Sequence, residues 1–178
     1  MTRRSLFFAV GSLATAGPRI AGPALTASAV GSGLGALKFA TGWLNGHETA
    51  ASLHGRIVLV DVFTFECVNC TRVTPNLKRL YETYARTDLA IVAVHTPEVP
   101  AYQSRVAYLA AQARAARLPW PIAIDNAARI WDAYGVSAWP TQLVFDRAGR
   151  LRHTIVGDGT DGVVRAAVSE LIRPTRRA

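Results

Sequence analysis

A chain of 178 residues is long enough for one domain with a sizeable core, and at 50% hydrophobic and 18% charged residues it reads as folded rather than disordered. The formal net charge of +8 is carried by 18 arginines and 2 lysines. These are spread thinly, with no dense basic run and no aromatic–basic interleaving, which excludes a nucleic-acid surface.

The first segment, MTRRSLFFAVGSLATAGPRIAGPALTASAV, reads as an export signal in residues 1–29. Arg3 and Arg4 form a positive start, residues 6–16 are apolar but too short to span a bilayer, and Ala27-Ser28-Ala29 is a small-residue cleavage site. The Arg3-Arg4 pair followed by Ser5, Leu6 and Phe7 is similar to a twin-arginine signal. Cleavage would leave a mature chain from Val30 and place it in the periplasm or on the outer face of the inner membrane. There disulfides persist. Membrane proximity would then arise only through an uncleaved signal. The Gly-rich residues 30–40 read as a flexible lead-in.

Beyond residue 40 strands and helices alternate. Residues 56–63, RIVLVDVF, form a continuous β-branched run suited to a buried central strand. Residues 71–85 place Val73, Leu77, Leu80, Tyr81 and Tyr84 near helical spacing. Residues 89–96 read as a second buried strand, and the Ala-rich residues 101–118 as one helix. A short strand and a short helix closed by Gly135 follow. Residues 141–157 read as a hairpin turning at 146–149, and residues 161–172 as the last helix. The expected class is α/β, a mixed sheet with helices on both faces, over residues 41–173, with a basic tail at 174–178.

Both cysteines of the chain, Cys67 and Cys70, stand three positions apart. A bridge closing so small a loop removes little unfolded-state entropy, so it is a weak structural staple. Two cysteines with no neighbouring histidine or second pair fall short of a zinc site. Covalent haem attachment asks for His after the second Cys, where Thr71 stands. A redox dithiol remains, with no metal or other cofactor expected. Cys67 would open a helix, where unpaired N–H groups and the dipole favour a thiolate, the nucleophile of disulfide exchange. Cys70, one turn on, would be shielded and resolve the mixed disulfide.

The stretch LVDVFTFECVNCTRVTP resembles the thioredoxin superfamily: an apolar strand, Asp61 six residues before the first Cys, Cys-x-x-Cys, then Pro75. GVSAWPTQLVFDRAGR is similar to the family's cis-proline segment. Together with WLNG and VAVHTPE these pieces look closest to exported TlpA-like redoxins, in particular the C-terminal domain of DipZ-type proteins. The resemblance implies a thioredoxin-like fold, a cis Pro140, and Trp139 as a backbone partner for an extended substrate segment. It also implies that Asp61 is the buried acid–base group that takes the Cys70 proton; the competing reading is a strand-end Asp reaching solvent. The chain departs from typical thioredoxins at Glu66, where an aromatic residue is usual; a carboxylate beside Cys67 opposes its thiolate. His95 and Glu98 read as solvated loop residues, and Trp120 and Trp131 as core or rim.

The function these features imply is an exported thiol–disulfide oxidoreductase; its exchange chemistry runs in either direction, and the resemblance to TlpA-like redoxins implies a reductant. Its partners would be proteins carrying disulfides or dithiols and an upstream thiol electron donor. Two alternatives are a thiol peroxidase of the peroxiredoxin kind and a non-enzymatic peptide-binding module. Peroxiredoxins carry P-x-x-x-T-x-x-C; Thr64 stands three before Cys67, but position 60 is Val.

Overall fold

The computed structural model describes residues 33–173, so the signal and tail expectations lie outside the described residues. A 3-10 helix, Leu34–Phe39, comes first, then β1 (Gly42–Leu44), α1 (Ala50–Leu53), β2 (Ile57–Phe63) and α2 (Val68–Thr83). Next are β3 (Leu89–His95), α3 (Pro100–Gln103), α4 (Val106–Ala115), β4 (Ile122–Ile124) and α5 (Arg129–Tyr134). The hairpin β5 (Thr141–Phe145) and β6 (Leu151–Val156) precedes the last helix, α6 (Asp161–Ile172).

The six strands form one sheet in the order β1-β4-β3-β2-β5-β6. β2 runs parallel to β3 and antiparallel to β5, so the sheet is mixed as the sequence implies. All seven residues of β2 and of β3 are buried, which accounts for their unbroken apolar runs. Alternation sorts their side chains between two cores. Ile57, Leu59 and Phe63 pack with Leu77 and Leu80 of α2, Ala113 of α4 and Val164 and Val168 of α6. Val58, Val60 and Val62 pack with Leu34 and Leu37, Leu53 of α1, and Ile130 and Tyr134 of α5. Each such side chain contributes about 1.5–3 kcal/mol when fully buried.

Two expectations are corrected here. The lead-in is anchored rather than flexible from Gly33 onward: Leu34, Ala36 and Leu37 are buried, and the Tyr134 hydroxyl donates to the Gly33 carbonyl at 3.2 Å. Leu34 and Leu37 are three residues apart, which sets them on one side of a 3-10 helix and lets them close the second core. Gly33 lies so near the hairpin turn that a Cβ there would stand 2.9 Å from the Gly149 carbonyl oxygen. The folded unit therefore begins before residue 41.

The expected helix over 101–118 is two helices. Ser104 ends α3, and Arg105, with extended ψ of 120°, starts α4. The break is fixed from outside: the Asn126 amide donates to the Ser104 carbonyl at 3.0 Å. Strand β1 and the short α1 carry no clear period and were not separable from the loop around them by sequence.

Candidate functional site

Strand β2 ends at Phe63, and four residues later Cys67 caps α2. Cys67 and Cys70 are joined as a disulfide with Cα atoms 5.2 Å apart. The Cys70 N–H donates to Cys67 Sγ at 3.1 Å, so the sulfur takes one of the N–H groups that a helix start leaves unpaired. Cys67 is partly exposed, whereas Cys70 is 4% exposed and packed against the core. This asymmetry is what an attacking and a resolving thiol require. Beside Cys70 runs a cleft of about 440 Å³ lined by Phe63, Phe65, Thr74, Lys78, Gln112 and Leu118.

Asp61 shares its parity on β2 with Leu59 and Phe63, and so points to the face that holds α2 and Cys70. It is 5% exposed, in mid-strand, and does not reach solvent, which sets aside the strand-end reading. Its register partner on β5 is Gln142, whose Nε2 donates to Asp61 Oδ1 at 2.9 Å. Burial drives the Asp61 carboxyl up to about 6, against the lowering effect of that hydrogen bond. The amide serves both protonation states, because turned over it offers Oε1 as an acceptor to the acid. Sequence reasoning missed Gln142; its one signal was a polar residue at an inward position of an apolar strand.

The Trp139-Pro140 bond is cis. Thr141 pairs with Val62, so Pro140 sits at the same end of the sheet as the β2–α2 loop. Pro140 is buried, and its carbonyl accepts from the Gly157 N–H at 2.8 Å. The Trp139 ring packs on Trp131 with centroids 4.5 Å apart and borders the core shared by Phe65 and Cys67. Trp120 is in the core.

His95 corrects another expectation. It is a buried residue at the end of β3, stacked on Phe65 with centroids 5.2 Å apart, not a solvated loop residue. Its odd position on β3 turns it to the α2 face, where Phe63 also meets it edge-on. Burial lowers its pKa to about 4, so it is neutral at pH 7 and lends Cys67 no positive charge. Glu98 is exposed, as expected. Thr64 is fully buried, and its hydroxyl donates to Gln103 Oε1 at 3.3 Å and lies 3.3 Å from His95 Nε2.

Glu66 is exposed, and α3 and α4 reach its carboxylate. Tyr102 donates its hydroxyl to one oxygen and Tyr108 to the other, the second at 2.7 Å. The Tyr102 bond, then the Tyr108 bond, hold the Glu66 carboxyl below its ordinary range. Arg72, the first basic residue after the disulfide, is drawn to Asn69 at 3.1 Å and Asp158 at 3.0 Å. Among the described residues no group of three His, Cys, Asp or Glu side chains is placed to hold a metal ion.

A mixed sheet of this order with a Cys-x-x-Cys disulfide capping the helix after its central strand defines a thioredoxin-fold redoxin. The chain belongs to the AhpC/TSA family, whose profile matches residues 38–154. It is 34% identical over 144 residues to protein DipZ of Mycobacterium tuberculosis, a match that covers 79% of this chain and 21% of DipZ, so the chain spans about a fifth of that relative. It is 29% identical over 150 residues to the thiol-disulfide oxidoreductase ResA of Geobacillus thermodenitrificans, covering 84% of this chain and 81% of ResA. The crystal structure of a thioredoxin-like superfamily protein superposes with a TM-score of 0.69 at 23% identity, over 76% of this chain and 94% of the other. That likeness supports the fold.

Proposed function

We propose that the chain is an exported thiol–disulfide oxidoreductase that reduces protein disulfides through Cys67 and Cys70. The observation that carries the reading is the disulfide itself: one sulfur at a helix start, the other shielded above the face that holds a buried carboxyl.

In the reduced chain the Cys67 thiolate attacks one sulfur of a partner disulfide. A Cys67–partner bond forms, and the partner's second sulfur leaves as a thiolate. Asp61 then takes the proton of Cys70, and the Cys70 thiolate attacks Cys67. The partner leaves with both sulfurs reduced, and the chain holds the Cys67–Cys70 bond. Two electrons have passed to the partner, and an upstream thiol donor restores the dithiol. The Trp139-Pro140 loop, at the same end of the sheet, would receive the partner's extended segment. The chemistry runs in either direction. The reductant direction is favoured by the anionic Glu66, the neutral His95 and the already paired Arg72 around Cys67.

Two features weigh against the peroxidase alternative. The Thr64 hydroxyl is engaged by Gln103 and His95. Residue 60 is Val. A non-enzymatic peptide-binding module would have no use for the paired sulfurs. Insulin-disulfide reduction measured beside peroxide consumption separates the three readings. Insulin reduction lost in Cys67→Ser, with no peroxide consumed, is the expected result. Rapid peroxide turnover without insulin reduction would reject it.

A further inference from the structure

The short helix α3 grips the active-site loop with two adjacent side chains. Gln103 accepts from the buried Thr64 hydroxyl and, at 2.8 Å, from the Val99 N–H. Tyr102 donates to Glu66, and Tyr108 of α4 donates to the other carboxylate oxygen. The two phenol rings meet edge-on with centroids 5.6 Å apart, so each steadies the other. Loop residues 64 and 66, on either side of Phe65, are thus fixed by a segment more than thirty residues further along the chain.

Glu66 directly precedes the cap residue of α2. An unrestrained carboxylate there would be drawn onto the N–H groups of the first helical turn, where the dipole is positive. Those groups are the ones that stabilise a Cys67 thiolate, and Cys70 N–H already points at Cys67 Sγ. The phenols give the carboxylate a different pair of donors. Resting on the proposed thiol–disulfide exchange, we propose that Tyr102 and Tyr108 are positioning residues that hold the Glu66 carboxylate off the α2 N-terminus and so set the redox poise of Cys67.

The other charged groups nearby leave this role to the phenols. Arg72 is engaged by Asn69 and Asp158, Asp61 is paired with Gln142 below, and His95 is neutral. Glu98 adds a further negative charge near Tyr102. The phenols remain donors at neutral pH. The Glu66 hydrogen bond raises Tyr102, and burial, with Glu66, pushes Tyr108 up to about 12.

The test is a cycle between Tyr102→Phe with Tyr108→Phe and Glu66→Gln, which removes hydroxyls or charge while keeping the rings. Thiolate absorbance of the reduced protein gives the Cys67 titration, and glutathione gives the equilibrium. The double Phe variant should titrate at higher pH and shift about threefold to tenfold toward the disulfide, the upper figure being about 30 mV. In the Glu66→Gln background the same Phe changes should move neither quantity. An unchanged titration in the double Phe variant, a shift to lower pH, or an equal shift without Glu66 would overturn the proposal. Thiolate titration needs no partner, so it reads the inference even if the wild type reduces no insulin, the outcome that rejects the exchange reading instead.

Discussion

Asp61 and Gln142 face each other across the β2–β5 ladder, and the Gln142 amide donates to the carboxyl at 2.9 Å. One hydrogen bond does not offset the burial of a charge, and the carboxyl rises from its ordinary 3.8 to about 6. Folding therefore favours the acid form of Asp61 more than the unfolded chain does, while the carboxylate still predominates at pH 7. The stability linked to it is fully present below pH 3.8 and is lost as pH rises through about 6. The stability advantage of Asp61→Asn should grow across that window by up to about 3 kcal/mol and level off above it. Urea titrations at pH 4, 5, 6 and 7 measure this, and a pH-independent difference would count against a titrating buried Asp61.

The same substitution should slow the resolving step. Loss of a positioned base costs on the order of a hundredfold or more. Stopped-flow decay of a Cys67 mixed disulfide should slow at least about tenfold in Asp61→Asn. Replacing Gln142 with Leu removes the one lowering influence and should move the pH midpoint of wild-type resolution upward. A Gln142→Leu midpoint at or below the wild-type value would separate the pair from proton transfer.

The cysteine pair, its place at a helix start and the buried strands are legible because each is a local pattern of spacing or hydrophobic period; the cis proline was reached only through the family resemblance. Asp61 was visible as a carboxyl inside an apolar run. Its partner Gln142 was not, since a polar residue in an apolar strand does not reveal which residue, 81 positions away, the register will set opposite it. The Tyr102–Glu66 and Tyr108–Glu66 bonds were hidden for the same reason. His95 was misread as solvated although it lies within the strand read over residues 89–96; its parity on β3 turns it inward. The Ala-rich stretch gave one helix because a break imposed by Asn126 carries no local signal.

The N-terminal 3-10 helix is a testable part of the domain. Leu37 is 2% exposed in the second core, so Leu37→Ala should cost about 2–5 kcal/mol in a denaturant titration. A change below about 0.5 kcal/mol, the level of surface substitutions, would return the segment to the status of a lead-in.

Export is tested by exchanging Arg3 and Arg4 for lysine and following the chain by cell fractionation. The twin-arginine reading predicts retention inside the cell, with loss of the form that starts near Val30. Undiminished export would replace that route with a general secretion signal.

The reducing direction is the central claim, and equilibration of the purified protein with defined glutathione mixtures tests it most directly. With an anionic Glu66, a neutral His95 and a paired Arg72 around Cys67, a strongly stabilised thiolate is not expected. The account predicts a potential nearer the roughly −270 mV of thioredoxin than the roughly −120 mV of a strong oxidant. A value above about −150 mV would contradict it and make the chain a disulfide donor.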